Sequence, residues 1–309
     1  MIRWQNNLVG GPVGGTVGNL GDRLGNEPRF LITRLSAIGD CIHTVPLAME
    51  LRRAYPQAFI AWATQSAAAH LLHGLPCVDE IITIDRNWLA RFRSIRETRS
   101  KLRSRQFDVC FDPQGLTKSS GLAWLSSAKV RIGFDRGQSR ELAPWLNNYR
   151  VSPRKNHVVD RYLELLRPIG ISNPQVTFEI PQPLQAIQQV DRFIERAQLG
   201  AFALINPGAG WDSKLWPAER YAQLANRLRD ELGVPSVIVW SGDREREWAE
   251  MIAERSSSTL APSTTLPELA ELCRRGSFFV GSDTGPAHLA AAVGTPCVAM
   301  YGPTSPEVC

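Results

Sequence analysis

The sequence predicts an α/β protein built as two consecutive domains, each a parallel sheet covered by helices, facing each other across a cleft. Three observations predict it. From Phe30 onward, short apolar runs alternate with amphipathic stretches, the pattern of parallel strands whose crossover helices cover both faces of a sheet. A strand–turn–helix unit stands near each end of the chain, and each carries an aspartate at its turn. Between them a Pro-rich stretch (Pro168, Pro174, Pro181, Pro183) breaks the alternation, as a linker between domains does. With 309 residues the chain is long enough for two cores of ordinary size.

Taken in order, Met1 to Asn26 is rich in glycine (Gly10-Gly11, Gly14-Gly15) and lacks the basic start and continuous apolar core of a secretory signal. A flexible tail over 1–27 is expected, with no part in catalysis. In the first domain, 28–172, the pattern predicts strands near 29–35, 58–64, 79–84, 108–113 and 130–134. Helices are predicted near 41–54, 66–73, 87–105, 118–127 and 157–166. In the second domain, 173–309, strands are predicted near 201–206, 236–240, 278–283 and 297–301, with helices near 218–232, 244–255, 266–274 and after the turn at 283.

The composition, 43% hydrophobic and 21% charged, is that of a soluble globular chain, and no apolar run approaches the ~18 residues that span a bilayer. The net charge of +5 is modest, but Arg86 to Arg105 holds eight basic residues against the single Glu97. Such a run serves either as a solvated helix face or as the seat of an anionic partner, such as a lipid surface or a phosphorylated acceptor. It has no aromatic sheet motif or zinc pattern beside it, which argues against nucleic acid. The six cysteines include no C-x-x-C pair, so a reduced, disulfide-free cytoplasmic protein is expected.

In the first unit the apolar run Arg29 to Leu35 enters Ser36-Ala37-Ile38-Gly39-Asp40 and then a helix. In the second, Phe278 to Ser282 enters Asp283-Thr284-Gly285-Pro286-Ala287-His288. A strand that runs through a Gly-bearing turn into a helix N-terminus builds an anion site, because free backbone N–H groups and the positive end of the helix dipole point at the ligand. One such site in each half suggests two ligands meeting across a cleft, the layout of a transferase. Asn206-Pro207-Gly208-Ala209-Gly210, followed by Lys214, is either a further phosphate site with a lysine as point charge or an ordinary loop with an exposed lysine. The strand ending at Trp240 is followed by Asp243 and Glu245, where a carboxylate either holds ribose hydroxyls or, as Asp243, simply caps the next helix. Asp40 opens a helix, a position at which an aspartate is more often a cap than a base. His288, on a first helical turn, can donate to a phosphate oxygen or serve as a structural hydrogen-bonder.

Four segments carry a family resemblance: Arg34-Leu-Ser-Ala-Ile-Gly-Asp-Cys-Ile-His-Thr-Val-Pro; Asp112-Pro-Gln-Gly-Leu-Thr-Lys-Ser; Asn206-Pro-Gly-Ala-Gly with Lys214-Leu-Trp-Pro; and Asp283-Thr-Gly-Pro-Ala-His-Leu-Ala-Ala-Ala-Val-Gly-Thr-Pro. Over about Arg29 to Pro306 the chain resembles the ADP-heptose:lipopolysaccharide heptosyltransferases, the inverting glycosyltransferase family 9. The resemblance implies a GT-B fold of two Rossmann-like domains. It also implies transfer of heptose from ADP-heptose to the lipid A–inner core acceptor in lipopolysaccharide biosynthesis. It implies Asp40 as general base, Lys214, Thr284, Gly285 and His288 around the donor diphosphate, Asp283 at the donor sugar and Glu245 at the ribose. Lys118, Arg140 and His157 fall at positions on the acceptor side.

The chain carries no Asp-x-Asp metal signature, so transfer without a metal or other cofactor is expected. An anionic lipid acceptor would give the basic stretch a purpose and place the protein in the cytoplasm, peripherally at the inner face of the inner membrane. The family continues beyond the point where Cys309 ends this chain, so a shortened second domain is expected, and Thr64-Gln65 stands where many heptosyltransferases carry glutamates. A transferase for another sugar nucleotide or acceptor, and a truncated non-catalytic nucleotide-sugar-binding protein, are the alternatives. A dinucleotide oxidoreductase fits less well, since the first turn is not G-x-G-x-x-G.

Overall fold

The computed structural model describes residues 20–309. Of the expected tail, 1–19 lies outside the described residues. Its last part does not trail free: Leu20–Arg23 forms a 3-10 turn, and Leu20 is buried in the core, with the turn beside a second 3-10 turn at Arg167–Ile169.

Two parallel sheets make the frame. The first contains β1 (Arg29–Thr33), β2 (Phe59–Thr64), β3 (Glu80–Thr83), β4 (Val109–Asp112), β5 (Val130–Phe134) and β6 (Tyr149–Val151), in the order β3-β2-β1-β4-β5-β6. The second contains β7 (Ala203–Asn206), β8 (Ser236–Ile238), β9 (Thr259–Leu260), β10 (Phe278–Ser282) and β11 (Cys297–Met300), in the order β11-β10-β7-β8-β9. β1 has Phe30, Leu31, Ile32 and Thr33 all buried, as expected of a central strand covered on both faces. Phe30, Trp62 and Phe111 are fully buried large side chains, each stabilising the fold by about 1.5–3 kcal/mol relative to exposure. Strand order reverses between β1 and β4 in the first sheet and between β7 and β10 in the second. Ligands of open α/β sheets bind at such switch points, outside the carboxyl ends of the strands.

The first domain's helices are α1 (Ile38–Ala54), α2 (Ser66–Leu72), α3 (Phe92–Arg103), α4 (Thr117–Leu125), α5 (Ala143–Leu146) and α6 (Val158–Glu164). α7 (Leu184–Arg196), α8 (Ala218–Leu232), α9 (Gly242–Ser256), α10 (Leu266–Arg275) and α11 (Gly285–Ala292) follow. α1 and α11 are buried over most of their lengths, α1 from Gly39 to Leu51 with few breaks and α11 at Ala287, Leu289, Ala290 and Ala292. They pack against each other, α1 from the first domain and α11 from the second. One buried apolar cluster accordingly runs from Phe30 and Trp62 through α1 and α11 to Phe202 and Phe279.

Four elements were not expected: α5, β6, α7 and β9. α7 follows directly on Pro183, in the stretch read as a linker; it packs on α10, while α6 packs on α1. α3 begins at Phe92 rather than near 87. The Asp85 carboxylate accepts from the Asn87 N–H (2.6 Å), and the Asp85 and Asn87 carbonyls accept from Trp88 and Ala90. An aspartate that caps its own turn competes with helix here, and the turns point Trp88 inward against Gly121 of α4.

The end of β4 shows how the first domain shapes its cleft side. Asp112 is fully buried and accepts from the Gly115 N–H (3.0 Å), from Asn147 Nδ2 (3.0 Å) and from the Ser120 hydroxyl. Its carboxylate therefore fixes the Pro113–Leu116 loop. Asp112→Ala leaves those donors without a buried partner and is expected to lower the unfolding free energy by about 2–3 kcal/mol, read by urea denaturation.

Candidate active site

Asp40 stands on the first turn of α1, three residues after its N-cap, Ala37. Ala37 has no side-chain oxygen to offer, and the Asp40 carboxylate instead reaches back to accept from the Ala37 N–H (3.2 Å). Arg34, at the end of β1 and 5% exposed, pairs with Asp40 Oδ2 at 2.6 Å and also donates to the Pro113 carbonyl (3.1 Å). Tyr162 of α6 donates its hydroxyl to Asp40 Oδ1 (3.3 Å), and its ring lies 5.3 Å below the Arg34 guanidinium. The carboxylate is thus held from three sides, yet its side chain keeps 38% exposure toward the cleft. Cap and site residue are one and the same.

Across the cleft, β10 ends at Ser282, Asp283 follows it, and Thr284 is the N-cap of α11. Asp283 Oδ2 accepts from Lys214 Nζ (2.5 Å) and from Thr304 Oγ1 (2.8 Å), and its Oδ1 lies 3.1 Å from His288 Nε2. Burial pushes the Asp283 carboxyl up, but the hydrogen bonds from Lys214 and Thr304 outweigh it and hold the group below its usual range. Burial dominates at His288 and lowers it, against the opposing pull of Asp283. Lys214 arrives on a 3-10 turn, Asp212–Lys214, after the Pro207–Trp211 loop, and its carbonyl accepts from Ser282 Oγ (2.8 Å).

The two halves meet where both helix N-termini abut. A Cβ on Gly39 would lie 2.6 Å from His288 Cδ2, so only glycine lets the second domain's imidazole close onto α1. Gly285 in turn lies against Ile38. His43, one turn beyond Asp40, packs edge-on against His288 with ring centroids 4.3 Å apart, and its buried Nδ1 has no partner among the described residues.

Three cavities share this junction, and Ala37 lines all of them. The largest, about 720 Å³, has apolar walls from Val239, Trp240, Leu266 and Leu269 and a carboxylate from Glu245. Glu245 accepts from the Ser241 N–H (2.9 Å) and presses on Gly208, where a Cβ would sit 2.1 Å from its Oε1; burial raises its carboxyl. The central cavity, about 410 Å³, joins Asp40 and His43 to Lys214, Asp283, Thr284, Gly285 and His288. The outer cavity, also about 410 Å³, is lined by Arg34, Asp40, Gln114, Gln138, Arg140 and Arg161. Asp40 is in the wall between the last two.

The glycosyltransferase family 9 (heptosyltransferase) profile matches residues 95–309. The chain belongs to glycosyltransferase family 9. Among relatives, it is 28% identical over 289 residues to lipopolysaccharide heptosyltransferase 1 of Escherichia coli K12, covering 90% of this chain and 89% of that one. The E. coli heptosyltransferase WaaC, solved with ADP and with ADP-2-deoxy-2-fluoro heptose, is 29% identical, with TM-scores of 0.74 and 0.75. Those alignments cover 91% and 90% of this chain and 90% of each of the others. A family 9 glycosyltransferase from Veillonella parvula shares the fold at a TM-score of 0.81 and 24% identity, over 92% of this chain and 84% of that one.

As a family 9 glycosyltransferase of GT-B architecture, the chain brings together seven of the ten residues singled out in its sequence: Asp40, Lys214, Asp283, Thr284, Gly285 and His288 at the central cavity and Glu245 in the largest one. Arg140 lines the outer cavity. Lys118 is exposed on α4 and His157 caps α6; neither lines the three cavities. Sequence reading passed over Arg34, His43, Arg161 and Tyr162. A charged residue ending a buried parallel strand was the available signal for Arg34; Tyr162, on an amphipathic helix, reads as core. Asp283, His288 and Cys309 bring ligand atoms within 4.8 Å of one another, and Asp283 in that group is already paired with the Lys214 ammonium.

Burial first, and His288 next, lower His43 to about 3. An unfolded chain binds that proton near pH 6.5, so stability is complete above 6.5 and falls as pH drops toward 3. His43→Gln is expected to flatten this loss, whose slope approaches ~1.4 kcal/mol per pH unit, in denaturant titrations between pH 4 and 6.

Proposed function

We propose that this glycosyltransferase moves heptose from ADP-heptose to a hydroxyl of the lipid A–inner core acceptor in lipopolysaccharide biosynthesis, inverting the anomeric centre. One observation carries the reading: a partly exposed carboxylate from one domain, Asp40, shares a single cavity with Lys214, Asp283, His288 and two helix N-termini from both domains. That set matches what displacement at a sugar carbon needs. The family resemblance and the heptosyltransferases to which the chain is similar supply the identity of donor and acceptor.

In this reading the adenosine lies in the largest cavity, with the apolar walls around the base and Glu245 on the ribose hydroxyls. The diphosphate passes along Thr284 and Gly285, where the N-terminus of α11 offers N–H groups and positive dipole, and Lys214 turns from Asp283 to share the charge. Asp283 and His288 then hold the donor sugar and the phosphate beside it. The acceptor enters through the outer cavity, along Arg140, with Lys118 and His157 farther out. Asp40 accepts the proton of the attacking hydroxyl while its oxygen bonds to the anomeric carbon. The bond from that carbon to the diphosphate breaks on the opposite face, and ADP leaves with the electron pair. A base on one side of the carbon and leaving-group cations on the other give inversion.

A general base contributes a factor of about 10²–10⁴, and one preorganised donor at the leaving charge is worth ~3–4 kcal/mol. Lys214 with two dipole ends can meet the leaving charge without a metal. Asp40→Asn is expected to keep ADP affinity in calorimetric titration and to lose at least ~100-fold in turnover on ADP-heptose and a heptose-deficient acceptor. Near-normal turnover removes Asp40 as the base, and tighter binding of GDP or UDP than ADP would replace the donor. Transfer is expected to survive EDTA; complete loss that only a divalent cation restores overturns the metal-free mechanism.

A further inference from the structure

Five exposed large apolar side chains gather on the outer layer of the first domain, and the site uses none of them. Leu89 and Phe92 lie at the start of α3, Trp124 on α4, and Leu142 and Trp145 at α5; Phe92 is 90% exposed and Trp145 65%. The elements that carry them are neighbours. α3 packs on α4 and α4 on α5, Trp88 lies over Gly121 of α4, and the Leu142 N–H donates to Thr117 Oγ1 at the start of α4 (3.1 Å). Single exposed apolar residues need no explanation, but a group on adjoining elements does.

The same elements carry cations. Only Leu102 of α3 is buried, so the helix shows most of its circumference. Arg86, Arg91, Arg96 and Arg99 are exposed and, among the described residues, form no ion pair, whereas Arg93 and Arg105 are matched by Glu97 and Glu80. Arg136 lays its guanidinium 4.5 Å over the Trp145 ring, which holds a further charge directly on an aromatic. Exposed aromatics on elements that also carry exposed arginines without ion pairs match the boundary between headgroups and acyl chains: the rings enter the apolar edge and the guanidinium groups meet lipid phosphates.

We propose that this face seats the chain on an anionic lipid bilayer, with Leu89, Phe92, Trp124, Leu142 and Trp145 in the headgroup–acyl boundary. The proposal deepens the lipid-acceptor reading and takes its purpose from it. Arg140 lines the outer cavity and Leu142 follows two residues later, so that cavity lies beside the seated face. A lipid-borne acceptor then reaches Asp40 without leaving its membrane.

Flotation of the full chain with vesicles tests this without any transfer step. Binding is expected to vesicles of phosphatidylglycerol and phosphatidylethanolamine, at least about tenfold weaker to phosphatidylcholine alone, and to fade at high salt. F92S/W145S is expected to lower the partition about tenfold or more at an unchanged unfolding temperature, and R91E/R96E to lower it likewise. Equal binding to neutral vesicles, or wild-type partition by both double variants, overturns the proposal. A dimer in sedimentation that F92S/W145S abolishes also overturns it, by giving the face to a second copy. Because the readout is partition, failed heptose transfer with intact flotation sinks the donor and acceptor assignment alone, and the reverse result sinks the membrane seat alone.

Discussion

The contact on which the rest of the architecture depends is the meeting of two helix N-termini, α1 from one domain and α11 from the other. Gly39 leaves room for the His288 ring, Gly285 lies against Ile38, and the two turns come close enough for Asp40 and Asp283 to face one cavity. Aligned helix dipoles repel when their positive ends converge, so a bare junction of this kind is unfavourable. Carboxylates at both turns offset that, Asp40 on α1 and Asp283 just before α11. The same positive convergence that needs acidic residues when the site is empty suits a diphosphate when one arrives.

Asp283 organises the second half of the junction. With Lys214 and Thr304 on one oxygen and His288 beside the other, it fixes side chains from three separate stretches of sequence. Asp40 plays the corresponding part in the first half through Arg34 and Tyr162. In both cases a strand end supplies one member, a helix start the carboxylate or its neighbour, and a residue distant in sequence completes the set. Such arrangements are costly to leave incomplete in a buried setting, which is why they hold a defined geometry before substrate is present.

Much of this was legible in the sequence, and the parts that were not have physical reasons. The buried strands β1, β4, β7 and β10 announce themselves as apolar runs, and the glycine-bearing turns after β1 and β10 mark the junction. β6 and β9 are three and two residues long, too short for any periodic signal. α7 has apolar residues at helical spacing, Leu184, Ile187, Val190 and Ile194, but the prolines before it drew the reading toward a linker. The start of α3 was misplaced because a local Asp85 turn, which no apolar spacing reveals, wins over helix propensity. Tyr162 could be found only by knowing that α6 returns to pack on α1, a tertiary fact. Exposure was equally hidden: Phe92 and Trp145 look like core residues until the fold turns them outward.

The apolar cluster that passes unbroken from Phe30 to Phe279 has a consequence for inheritance. Two-domain proteins are commonly treated as recombinable modules, joined by a linker and exchangeable at it. Here the surface each half would expose if exchanged is part of a shared interior, with Gly39 contributed by one parent and His288 by the other. A chimera of two relatives must therefore match at α1 and α11 as closely as a single core does. The chain has two sheets but one unit of descent.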